Sequence, residues 1–249
     1  DRRSSRSGAQ ELELGLAEAL NRRHLDASGH DTDLAARIRT FETAFHMQTD
    51  ARDVFDLSKE SESTLGLYGL KRGQTDGFGW PCLVARRLAE RGVRFIELVD
   101  GSSSHNWDQH GDMAEHAQHA RNIDQPIAGL LRDLRQRGML DSTLIIWGGE
   151  FGRTVTRDRN GNASPGRDHN GRAMVAWMAG GGVKGGIEYG KTDDFSYNIV
   201  ENPVHIRDFH ATVLQLLGRD HRRFTYRHQG LDQRLTGVEE SRVIRELIA

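Results

Sequence analysis

The run Leu144-Ile145-Ile146-Trp147 is what most constrains the fold of this chain. Four consecutive apolar residues, cut off at Gly148-Gly149-Glu150, leave no polar face to offer to water. Such a run predicts a strand buried on both faces, and that demands helices packed on either side of a sheet. Residues 93–99, Val-Arg-Phe-Ile-Glu-Leu-Val, read as a second strand and residues 173–179 as a third. An amphipathic helix over residues 82–91, stopped by Gly92, precedes the second strand. A longer helix running to about Arg137 carries Ile123, Ile127, Leu130, Leu131 and Leu134 on one face, with Pro126 inside it. Residues 208–217 form a last helix ended by Gly218.

Upstream, residues 11–47 show helical spacing with a break at Gly29, and residues 53–70 read as short helical pieces and loops. Residues 1–8 are polar and are expected to fray. The order of strand, helix, strand, loop, strand, helix predicts an α/β sheet with right-handed crossovers. Residues 1–80 are then a mostly helical and loop region, and residues 81–249 a sheet core. No repeat or internal boundary is visible.

Charge narrows the partners. The 34 basic and 36 acidic side chains leave a formal charge of -2, so neither nucleic acid nor a membrane surface is an expected partner. No apolar run is long enough to span a membrane. Cys82 is the only cysteine, which rules out an intrachain disulfide and a cysteine-based zinc cluster. Its apolar surroundings predict a buried small hydrophobe rather than a nucleophile.

Ligands of open α/β sheets bind beyond the carboxyl ends of the strands, and polar clusters occupy such places here. One is His105-Asn106-Trp107-Asp108-Gln109-His110; the second is Gly148-Gly149-Glu150-Phe151-Gly152-Arg153-Thr154; the third is Gly166-Arg167-Asp168-His169-Asn170. Carboxylates and imidazoles without thiolates suit zinc, manganese or a similar divalent ion, calcium and magnesium being the harder alternatives. Asp108 and His110, two residues apart, can face one ion, with Glu150, Asp168 and His169 as further ligands.

Arg153 and Arg167 either grip sulfate or phosphate oxygens with their planar forks or brace Glu150 or Asp168. His116 and His119 are expected to be solvated or bonded to neighbouring acids, His210 to lie near the site, and His221 and His228 to lie on the surface. Gly180-Gly181-Gly182 matches no phosphate-loop pattern and reads as a tight turn.

Several stretches carry a resemblance to a known family. They are residues 121–131, residues 144–154, Trp107-Asp108-Gln109-His110, residues 166–170 and Ala179 to Gly186, with the tail from Asn202 to Gly218. Together they resemble the "domain of unknown function 1501" family, a sulfatase-like branch of the alkaline-phosphatase superfamily. The resemblance implies the C-terminal portion of a three-layer sandwich with a mostly parallel central sheet. It implies that Asp108, His110 and His169 bind a first metal and that Glu150 stands at a second. Phe151 follows Glu150 where the superfamily has histidine, a departure from its pattern.

The implied activity is that of an exported, metal-dependent hydrolase of small-molecule or polysaccharide sulfate or phosphate esters. The family's nucleophile belongs to an upstream segment, so this stretch alone is expected to be inactive. The alternative is a non-catalytic metal- or ligand-binding relative with the same fold.

Overall fold

The computed structural model describes residues 2–29, 31–101, 107–157 and 166–249. Its contacts divide the chain into two compact units, Asp1–Leu57 and Ser58–Ala249, although no linker composition marks that point. The first unit is a pair of helices, α1 (Arg2–Ala27) and α2 (Thr32–Phe55). The expected break falls at Gly29, which takes a positive φ of 67°. Asp31 restarts the chain as a helix, its Oδ1 accepting from the Asp33 and Leu34 amides at 2.9 and 3.0 Å. α1 begins at Arg2, so the polar opening residues are helical.

The second unit holds α3 (Glu62–Leu67), α4 (Gly79–Glu90), α5 (His116–Gln136) and α6 (Ile206–Leu216). Ser61 caps α3 by accepting from the Thr64 amide at 3.1 Å. α5 packs against both α3 and α4, and Pro126 is accommodated within it. Leu65, Tyr68, Leu83, Val84, Ile123 and Leu134 are buried there. Cys82 is fully buried, and burial, with the charge of Asp100, pushes its thiol up to about 12. It is a core hydrophobe, unable to form a thiolate near neutral pH.

Charge is buried in this helical layer too. The Arg86 guanidinium is 2% exposed and contacts Glu60 at 2.8 Å, Glu90 at 2.7 Å and Asp133 at 2.9 Å. Arg87 adds a 2.5 Å contact to Glu60, and Arg137 reaches Asp133 at 2.7 Å and Glu90 at 2.9 Å. The Tyr68 hydroxyl donates to Asp133 at 2.8 Å. Burial raises the Glu60 carboxyl, but hydrogen bonds from Arg87 and Arg86 and their charges outweigh it, so the net shift is downward from 4.5. A carboxyl depressed by folding contributes stability that is complete above its unfolded value. That contribution is lost as the pH falls from 4.5 through the lower folded value. Thermal melts taken downward from pH 5 should therefore fall more steeply for the native protein than for Glu60→Gln.

The strands form two-stranded antiparallel sheets among the described residues. β1 (Ile145–Gly148) pairs with β4 (Ala176–Ala179), and β2 (Gly152–Arg157) with β3 (Arg167–Asn170). β5 (Lys191–Thr192) pairs with β6 (Ile199–Glu201), and β7 (Thr225–His228) with β8 (Leu231–Arg234). β1 lies one residue later than the apolar run suggested. It is not buried on both faces, since Ile146 and Trp147 are 43% and 38% exposed. Pairing with β4 satisfies one edge of its backbone, and Trp147 stacks on Trp177 at 6.3 Å.

Residues 93–99 form no strand, and Phe95 and Val99 in them are exposed. Alternation there signals β-propensity, but a strand exists only where another strand accepts its ladder. All strand pairings among the described residues are antiparallel. Gly180, which follows β4, has φ +70°, and a Cβ there would stand 2.4 Å from the Leu140 and Thr143 carbonyl oxygens. The triple glycine is thus a tight turn. Among the described residues, no helix is long and apolar enough to cross a membrane.

Candidate metal centre

The register of β2 and β3 places the centre. Arg153 sits directly opposite His169, so both side chains leave the same face of the pair. Neighbouring residues on a strand point to opposite faces, which sends Asp168 away from His169. The Asp168 carboxylate accepts instead from the His169 amide at 2.7 Å.

The loop carrying Asp108 and His110 is tied to this pair by backbone contacts. The Arg167 amide donates to the Gln109 carbonyl at 3.1 Å. Gly166 lies so close that a Cβ built on it would stand 1.7 Å from the His110 carbonyl oxygen. On its other side the loop is anchored by Trp107, whose Nε1 donates to Asp100 at 2.8 Å and whose carbonyl meets His116 Nε2 at 2.8 Å. The indole packs against the His116 and His119 rings at 5.3 and 5.4 Å. Gln109 reaches Glu115 at 2.5 Å.

These ties bring three ligand atoms into one triangle. His169 Nε2 is 2.9 Å from Asp108 Oδ1, His110 Nε2 is 3.1 Å from the same oxygen, and the two imidazole nitrogens are 3.1 Å apart. Ligand atoms set at ~2.0–2.1 Å around a tetrahedral ion are about 3.3 Å apart, so this triangle needs to open by only a few tenths of an ångström. Asp108, His110 and His169 form a group able to hold a metal ion, with a fourth position left for water or substrate. Arg153 Nη1 stands 2.5 Å from Asp108 Oδ1. Partial burial raises the Asp108 carboxyl, but the hydrogen bond from His169, the short ionic contact of Arg153 and the charges of Arg153 and His110 dominate, holding it at about 2.

The other expected ligands are elsewhere. Glu150 is exposed in the turn between β1 and β2 and does not belong to the triangle. Phe151 does approach it, its ring 4.2 Å from that of His169. Asp168 is excluded by strand alternation. Arg153 is a brace, as one reading had it, but for Asp108 rather than Glu150 or Asp168. Arg167 donates to the Val155 carbonyl at 2.6 Å and so ties β3 to β2.

Among the histidines, His119 and His221 are buried rather than solvated, and His205 caps α6 by accepting from the Arg207 amide. His210 is exposed. The anchoring roles of Trp107, His116 and Gly166 went unread in the sequence. Gly166, the first residue of the third cluster, was the only local signal.

A family model described as "Protein of unknown function (DUF1501)" matches residues 2–248. The chain belongs to the DUF1501 family. No curated protein matches this DUF1501 chain, and no solved structure does.

Proposed function

We propose that this DUF1501 chain is the metal-binding part of a metal-dependent hydrolase of sulfate or phosphate esters, exported and built on an alkaline-phosphatase-like sandwich. The observation that carries this reading is the Asp108–His110–His169 triangle, with an arginine on the same carboxylate. Two imidazoles and one carboxylate suit zinc, and manganese next. Bound there, a divalent ion supplies Lewis acidity and positive charge beside the ester oxygens.

The residues of the chain supply the rest. Asp108 stays ionised and offsets the charge of the ion, while the imidazoles present Nε2 lone pairs. Arg153 has the planar fork that grips two oxygens of a sulfuryl or phosphoryl group.

A second reading, a non-catalytic relative that keeps one metal, is favoured by the position of Glu150. That carboxylate lies outside the triangle, and Phe151 packs on His169. Turnover of aryl sulfates or aryl phosphates by the full-length protein separates the two readings. The metal assignment has its own test, zinc and manganese titration calorimetry with metal analysis. Loss of outer-shell partners weakens metal sites about 10–100-fold, so Asp108→Ala and His169→Ala should each cost more than about a hundredfold. Binding that survives both changes unaltered removes the assignment.

A further inference from the structure

Asp108 Oδ1 is contested. Arg153 Nη1 is 2.5 Å from it, closer than either imidazole nitrogen at 2.9 and 3.1 Å. The ion reached by both histidines would be drawn to the oxygen that the guanidinium already occupies. Two positive charges at one carboxylate oxygen repel each other strongly in a partly desolvated site.

The arginine contact is also imperfect. Nη1 is shut off from water, yet it makes no aligned hydrogen bond among the described residues. A charged nitrogen removed from water without an aligned acceptor is poorly compensated, so this is the partner that yields.

Phe151 determines where the arginine goes. The Arg153 guanidinium carbon lies 5.8 Å from the centre of the Phe151 ring, and that ring packs on His169. A guanidinium released from Asp108 keeps a cation–π platform beside a metal ligand. Having lost its carboxylate, it requires another anionic acceptor, and a tetrahedral oxyanion matches its fork.

We propose that Arg153 holds Asp108 in place of a divalent cation and is displaced when the cation loads, which frees its guanidinium for a sulfate or phosphate group at the same centre. The proposal rests on the metal reading above and adds a coupling to it: cation binding creates the anion site. By linkage, the anion must tighten cation binding by the same factor.

Zinc is titrated into the purified protein, with and without inorganic sulfate, for the native sequence, Arg153→Met, Arg153→Lys and Arg172→Met. Sulfate should tighten zinc binding to the native protein about 5- to 150-fold, the usual span of coupling between sites. Arg153→Met should bind zinc more tightly than the native protein without sulfate, and should lose most of the sulfate effect. Arg153→Lys keeps the charge without the fork, so its zinc affinity should stay near native while the sulfate effect falls. Should Arg153→Met fail to fold, that lysine result carries the test. Arg172→Met removes a positive charge three residues beyond His169 and should behave as native, which separates displacement from general electrostatics.

Equal zinc affinity for native and Arg153→Met, or an undiminished sulfate effect in Arg153→Met, overturns the proposal and leaves the metal site standing. Zinc binding by none of the four proteins overturns both.

Discussion

Arg86→Met is expected to lower the unfolding free energy of the Ser58–Ala249 unit by about 3–5 kcal/mol, the range for removing one partner from a buried ion pair. Arg86 contacts all three carboxylates of the cluster, Glu60, Glu90 and Asp133. Methionine fills much of the volume but leaves two of those acids, Glu60 and Asp133, nearly as buried as before. Arg87 and Arg137 still touch one acid each of that pair, which keeps the loss from being larger. Glu90 is a third exposed on its side chain and can rehydrate.

Urea denaturation followed by circular dichroism measures the effect. A loss below about 1 kcal/mol would mean that the remaining arginines neutralise the cluster unaided. Replacing Arg86, Glu60 and Asp133 together by apolar residues of similar size should recover part of the loss, because no buried carboxylate is then left without its cation, while Arg87, Arg137 and the Tyr68 hydroxyl each lose an acceptor.

Gly166→Val should abolish most metal binding while costing the helical core little. The new side chain cannot coexist with the His110 carbonyl, which lies 1.7 Å from where the Cβ must go. That obstacle is backbone, so the two segments have to separate, and the Arg167–Gln109 hydrogen bond beside them is strained or broken. His110 and His169 ride on opposite sides of that junction, and their 3.1 Å separation depends on it. Zinc affinity should fall at least as far as it does when outer-shell partners are lost, about 10–100-fold. Gly171→Ala is the control, since a Cβ there meets nothing within 4 Å. Native zinc affinity in Gly166→Val would show that the loop and β3 are positioned by something other than this contact.

The helices were legible because their information is local. Leucine and isoleucine spacing marked α5, and glycines at 29, 92, 138 and 218 marked helix ends. The buried, unreactive state of Cys82 followed from its apolar neighbours. Asp108, His110 and His169 were legible as ligand types in polar clusters, and those three come together. Glu150 and Asp168 had the same chemistry and a similar setting, yet neither belongs to the triangle. What separates Asp168 from His169 is the face of β3, and a face acquires meaning only once β2 has paired in register.

Strands were less legible than helices, for a related reason. Residues 93–99 and 144–147 have β-type sequences, but only the second found a ladder partner, about thirty residues away in the chain.

By itself, then, the sequence determined the helical segments, the exclusion of thiolate chemistry and the set of oxygen and nitrogen ligands available. Tertiary structure alone decided which of those ligands converge, and that one oxygen of Asp108 serves both histidines and Arg153. The physical reason is that helix periodicity and residue chemistry are carried within a few neighbouring positions. A ligand triangle depends on strand register, on the close approach at Gly166 and on a guanidinium forty-five positions from its carboxylate, and these exist only when distant segments have met.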